Sequence, residues 1–231
     1  MLKPWQTTRW CLPPQGSAAF VCQMEAVLDV YHRPHDPRRP QVCLDETSKQ
    51  LVGEVRLPHA VQPGQPAREE YEYVRNGVAN LVVVCEPLAG WRHVTVTARR
   101  TAVDFAHVIR ALVEVHYPEA ERIVLVMDNL NTHTGAALYQ AFPPAEAKRL
   151  LDKLEIHHTP PHGSWLNMAE IEFSILSRQC LDRRSPDAAT LTAEVAAWEA
   201  ARHAGSTAIR WRLTTADARI RLQHLYPAIS T

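Results

Sequence analysis

Three acidic residues, Asp45, Asp128 and Glu170, occupy positions in this 231-residue chain where carboxylates can do chemistry. Asp45 closes the short apolar run Val42-Cys43-Leu44. Asp128 follows the run Ile123–Met127 directly, and Glu170 falls in the opening turn of a segment with helical spacing. Ligands of α/β sheets gather at the carboxyl ends of strands, so acids at two strand ends and on a neighbouring helix can converge there. Converging carboxylates push protons onto one another unless a cation offsets the repulsion. Hard oxygen donors without an accompanying His/Cys set suit Mg²⁺ or Mn²⁺ better than Zn²⁺. Two such ions about 3.5–4 Å apart form the clamp used for in-line phosphoryl displacement. Each acid also has a plain structural reading as turn former, helix cap or dipole partner, and spacing alone does not choose.

The surrounding residues add candidates. Asn129, His133 and Asn167 could hydrogen-bond a carboxylate, a metal-bound water or a phosphate. Glu46 and Glu172 compete for the first and third acidic positions. Glu46 points opposite to Asp45 if the strand continues. A two-residue step turns a helix by about 200°, so Glu170 and Glu172 cannot both face one site. His157 and His158 alternate across a strand with no cysteine partner nearby, which argues against zinc. His162 and Ser164 precede the Glu170 helix and could meet a phosphate at its start. Trp165 reads as packing beneath the site. Lys49, Arg178, Arg183 and Arg184 are the cations best placed to contact a DNA backbone, with a solvated surface as the alternative.

These residues must be carried by regular elements. Helical periodicity marks 18–31 as a lead-in helix, and the prolines of 32–40 make a connector. Strands are expected at 41–45, at 80–86 and, as a hairpin partner, at 91–97. Residues 58–66 read as a loop. A helix at 101–116 leads to a buried strand at 122–127, then helices at 135–142 and 144–154 and a short strand at 156–159. Helices at 166–181, 186–203 and 213–225 complete the chain. A meander followed by alternating helix and strand predicts an α/β three-layer fold with a central mixed sheet. We divide the chain into a lead-in segment and linker, 1–40, and a catalytic domain with C-terminal helices, 41–231.

Composition narrows the class. Lysine plus arginine and aspartate plus glutamate both number 25, so the formal net charge is zero, which disfavours a strongly basic nucleic-acid binder but not an enzyme whose metals handle phosphate. No run of eighteen apolar residues spans a membrane, and residues 1–20 lack a signal-peptide core. Five cysteines without a CxxC pair read as reduced thiols of a cytoplasmic protein.

The segments IVLVMDNLNTHT (123–134) and HHTPPHGSWLNMAEIEFSILSRQCL (157–181) resemble the DDE-type transposases of bacterial insertion sequences. The resemblance is to the mariner-related group, the DDE superfamily endonucleases. VCLDETSKQL (42–51) is similar to that family's first acidic motif, and NLVVVCEPLAGWRHVTVT (80–97) to its central strands. The resemblance implies a ribonuclease-H-like fold of the retroviral-integrase superfamily. It also implies Asp45, Asp128 and Glu170 as catalytic metal ligands for two Mg²⁺ or Mn²⁺ ions, cleavage and strand transfer at element ends, and a homodimer on DNA in the bacterial nucleoid. Family members carry helix-turn-helix domains ahead of this region. None is recognisable here, so the expectation includes a separate helix-turn-helix polypeptide or an inert truncated remnant. A ribonuclease-H-like nuclease without strand transfer is the alternative activity.

Overall fold

A computed structural model describes residues 17–56, 61–66, 71–205 and 207–227. Cys11, the first sixteen residues and part of the loop read at 58–66 lie outside the described residues. The sheet has five strands: β1 (Gln41–Glu54), β2 (Tyr73–Glu86), β3 (Trp91–Thr97), β4 (Ile123–Met127) and β5 (Leu154–His158). Their spatial order is β3-β2-β1-β4-β5. β1–β2 and β2–β3 are antiparallel, whereas β1–β4 and β4–β5 are parallel. The sheet is therefore mixed, as expected, with the hairpins on one side and helical crossovers on the other.

Alternation along each strand assigns the two faces. Val42, Leu44, Val82 and Val84 join Leu125 and Met127 beneath α2 (Ala102–Ala111), α3 (Gly135–Ala141) and α4 (Pro144–Asp152). On the opposite face, Cys43, Cys85, Val124 and Val126 pack against α1 (Ala18–Tyr31). Farther along that face, Leu81, Val83 and Val94 meet α5 (Ala169–Leu176) and α6 (Ala188–Ala204). The helix read as a lead-in thus shares the sheet's core through Met24, Val27 and Leu28, all fully buried. A final helix, α7 (Thr215–Arg221), adds Ala218 to the same cluster.

Several boundaries differ from the sequence reading. β1 does not stop at residue 45 but continues to Glu54, because Thr47–Gln50 pair with Ala79, Asn80 and their neighbours in an antiparallel ribbon whose side chains are largely solvated. The helix expected over 166–181 divides into a 3-10 turn (Ser164–Leu166), α5 and a π-helical turn (Ser177–Leu181). Likewise, 101–116 is α2 followed by a π-helical turn (Leu112–His116), and 213–225 shortens to α7 and a 3-10 turn (Gln223–Leu225). Thr101 and Asp104 form a reciprocal capping box at the start of α2.

Candidate functional site

Asp45 lies within β1 rather than at its end. Parallel pairing with β4 stops at Cys43↔Val126, so Asp45 stands just past the last rung while β2 still supports its other side at Val83. Asp128 follows β4 directly. The two acids therefore leave the sheet side by side, at the carboxyl ends of adjacent parallel strands. Asp45, an odd-numbered strand residue like Cys43, faces the α1/α5 layer.

The turn that delivers Glu170 to the same place is built from Pro160-Pro161-His162-Gly163. Thr159 N donates to the Met127 carbonyl at 2.9 Å, Gly163 N to Pro160 O at 2.8 Å and Asn167 N to Ser164 O at 2.7 Å. His162 adopts a left-handed conformation, φ 62°. Only glycine fits at 163, because a Cβ there would lie 2.6 Å from the Pro160 ring and 2.9 Å from its carbonyl oxygen. Tyr31 of α1 anchors the turn's far end by donating to Leu166 O at 2.6 Å.

Asn167 then links strand and helix. Its buried Nδ2 donates to Leu44 O at 2.8 Å and to Asp45 Oδ2 at 3.3 Å. Its Oδ1 accepts from Ala169 N at 3.1 Å, at the start of α5. Glu170, the second residue of α5, is exposed. Burial pushes the Asp45 carboxyl up to about 7, with the charges of Glu170 and Asp128 raising it and the Glu46 amide and His133 pulling it back. Glu170 is raised as well, first by the partial burial of its carboxyl on an otherwise exposed residue and then by Asp128. Asp128 thus contributes to raising both Asp45 and Glu170.

Asp128 is held from two sides. His133 Nδ1 lies 2.5 Å from Asp128 Oδ1, and the His158 ring Nδ1 is 3.1 Å from the Asp128 carbonyl oxygen. His133 is fully buried against Phe105, and its Nε2 approaches Glu46 Oε1 at 3.1 Å. That approach is an ion-pair contact rather than a well-directed hydrogen bond, since Nε2 has no hydrogen-bond partner. Burial lowers the imidazole pKa, but Asp128 and Glu46 outweigh it and raise His133 to about 9. Glu46 faces away from Asp45, as the strand alternation requires, and Arg100 Nε stands 3.3 Å from its Oε2.

The remaining candidates separate. Glu172 is buried on the other side of α5, between Arg92 and Arg202, so it does not compete for the third position. Asn129 is exposed and its side chain meets no partner among the described residues, as does that of Arg178. His162 and Ser164 are exposed on the turn before α5. Lys49 Nζ donates to Leu181 O at 2.6 Å and to Arg183 O at 2.9 Å, which ties it to the end of the π-helical turn. Arg183 lies 3.6 Å from Glu194 and Arg184 2.5 Å from Glu54. Trp165 is half-buried beside Trp211, with ring centroids 6.3 Å apart, in accord with a packing role. His158 and Arg100 were not singled out as partners of the site, because pairings from residues 30 and 54 positions away leave no local signal.

Among the described residues, no three His, Cys, Asp or Glu side chains are already gathered closely enough to grip a metal ion. The donor chemistry nevertheless fits a hard divalent cation. Asp45, Asp128 and Glu170 supply oxygens, and Asp45 and Glu170, raised first by burial and further by neighbouring carboxylate charge, are groups whose ionised form such a cation would favour. A surface cavity of about 370 Å³ lies elsewhere, where β1 and β4 begin, lined by Arg33, Asp36, Arg39, Gln41 and Glu155. Its arginines Arg33 and Arg39 are already paired with Glu155.

Residues 40–192 match the family described as DDE superfamily endonuclease. No curated protein matches the chain. Among solved structures, the Mos1 mariner paired end complex with Mn is 20% identical, with a TM-score of 0.58 over 87% of this chain and 60% of that one. The Mos1 Strand Transfer Complex is 19% identical with a TM-score of 0.57, again over 87% and 60%. The paired end complex with Mg is 21% identical with a TM-score of 0.55 over the same shares. The chain thus spans about 60% of the length of these proteins. At such identities the likeness is one of fold, and the fold is the ribonuclease-H-like α/β arrangement.

Proposed function

Because the chain belongs to the DDE superfamily endonuclease family, we propose that it is the catalytic domain of a transposase that cuts and rejoins DNA at insertion-sequence ends. Asp45, Asp128 and Glu170 are the carboxylates that hold two Mg²⁺ or Mn²⁺ ions in this reading. The observation that carries it is geometric: Asp45 and Asp128 leave adjacent parallel strands side by side, and Asn167 ties Asp45 to the start of the helix that bears Glu170. The presence of Mn and Mg in the Mos1 complexes supports the choice of cations. Their description as paired end and strand transfer complexes supports DNA ends as the substrate, and a homodimer on DNA is part of the same proposal.

When bound, such ions activate the attacking oxygen and stabilise the leaving one during in-line displacement at phosphorus. The chain's own residues orient the donors. Asn167 fixes Asp45 relative to the first turn of α5, and His133 holds Asp128 Oδ1 so that Oδ2 is left for the site. Exposed His162 and Ser164, on the turn before α5, and exposed Arg178, on the π-helical turn after it, are available to the DNA backbone.

A nicking and joining assay on element-end duplexes in Mn²⁺ tests the reading. Asp45→Asn, Asp128→Asn and Glu170→Gln are each expected to abolish cleavage while leaving the fold intact by circular dichroism. Retained cleavage in any of them removes that residue from the site. Cleavage without joined product would replace transposition by hydrolysis alone.

A further inference from the structure

Glu172 lies two residues beyond Glu170 on α5, and the mechanism above leaves it without a task. Its side chain is 1% exposed. Arg92 Nη2, from β3, donates to Glu172 Oε1 at 3.1 Å. Arg202 Nη2, from α6, donates to the same oxygen at 3.2 Å and reaches Oε2 at 3.5 Å. Arg92 is fully buried too, and its Nη2 also donates to Thr207 O at 2.9 Å. Three elements therefore meet at one carboxylate beside the apolar layer of Leu81, Val83, Val94 and Phe173.

Stability is a poor reason for such a cluster. Removing charges from water is costly, and well-packed apolar residues often match or better a buried ion group. What the cluster adds is direction. Hydrophobic burial is non-directional, whereas a carboxylate accepting from two guanidinium groups must point at them. α5 has need of this: it is eight residues long, enters from a 3-10 turn and leaves through a π-helical turn. Its buried stripe is Ala169, Glu172, Phe173 and Leu176, so a charge sits in the middle of the packing face. With Glu172 held inward, Glu170 leaves the helix about 200° away, on the exposed side of α5.

We propose that the Arg92–Glu172–Arg202 cluster sets the rotational position of α5 and so presents Glu170 to Asp45 and Asp128. Glu172 is a positioning residue, acting through the helix it shares with Glu170. The inference rests on the carboxylate-site reading given above.

The test replaces the cluster by apolar residues, Arg92→Met with Glu172→Leu and Arg202→Met, and reads Mn²⁺ affinity by electron paramagnetic resonance alongside the melting temperature. The expected result is a melting temperature at or above that of the parent with Mn²⁺ affinity weakened about tenfold, the scale seen when groups supporting metal ligands are removed. Nicking should fall in parallel. Parent-like Mn²⁺ affinity in a folded triple variant overturns the proposal. If the triple variant fails to fold, Arg202→Met, at the outer edge of the cluster, decides: affinity must fall at least about threefold without a matching loss of stability, and unchanged affinity overturns the proposal. Asp128→Asn is the control. Parent protein that binds Mn²⁺ no better than Asp128→Asn removes the carboxylate site itself, a failure distinct from that of the positioning cluster.

Discussion

Asn167 joins Asp45 to the helix that carries Glu170, with Nδ2 3.3 Å from Asp45 Oδ2 and Oδ1 accepting from Ala169 N at 3.1 Å. One amide therefore registers a strand acid against a helix acid. Asn167→Ala should leave the buried Leu44 carbonyl and the Ala169 amide without these partners, a cost of about 1–3 kcal/mol. Chemical denaturation measures that cost, and Mn²⁺-dependent nicking should fall with it. Unchanged stability would show that the amide links nothing.

Asp45 predicts a pH dependence of the metal-free protein. Its folded pKa, raised by burial to about 7, lies above the usual value of 3.8. The folded state therefore binds the proton more tightly. The associated stabilisation is fully present below about pH 4 and disappears as pH rises through about 7, on the order of 4 kcal/mol at most. Asp45→Asn should be more stable than the parent at pH 8, and the difference should vanish near pH 4. Parallel denaturation curves at every pH would contradict the assigned burial.

Divalent cations should stabilise the parent by linkage. At a hundred times the dissociation constant, Mn²⁺ adds about 2.7 kcal/mol, visible as a rise in melting temperature. Asp128→Asn should abolish most of that rise. A parent melting temperature indifferent to millimolar Mn²⁺ or Mg²⁺ speaks against a site at the three acids.

His133 should carry a proton on both ring nitrogens at neutral pH. Its folded pKa of about 9 exceeds the usual 6.5 because Asp128 and Glu46 outweigh burial. The stabilisation is complete below about pH 6.5 and is lost as pH rises through about 9, on the order of 3 kcal/mol. Nitrogen-15 chemical shifts of the metal-free protein read this directly. A neutral imidazole at pH 7 would mean that the contact with Glu46 is not an ion pair.

Lys49 and Arg178 should behave differently on DNA. Lys49 Nζ is engaged by two carbonyl oxygens at 2.6 and 2.9 Å, so Lys49→Ala should lower stability and leave the salt dependence of binding unchanged. Arg178, exposed and without a partner among the described residues, should contribute one phosphate contact. Arg178→Ala should then flatten the slope of log K against log salt by about 0.9. Titration at two salt concentrations distinguishes them, and the reverse pattern would reassign the DNA-facing surface.

The sequence by itself determined the order of the elements and which way their acids point. Apolar runs such as Leu81–Val84 and Ile123–Met127 must be buried on both faces, and the order of strands and helices left little choice of fold class. Strand alternation separated Asp45 from Glu46, and helical periodicity separated Glu170 from Glu172, because both periods are local properties of the backbone. Element ends were less legible. The outer half of β1 is stabilised by β2, and the turns of 164–168 by bonds to residues far along the chain, neither of which leaves a local pattern. The support of the site also belonged to tertiary structure alone. Lys49 looked available to DNA until the carbonyls of 181 and 183 came within reach, and Arg92 and Arg202 were joined to Glu172 across 80 and 30 residues. Local periodicity fixes which way a side chain leaves its own strand or helix, while the partner that meets it is chosen by how distant elements pack.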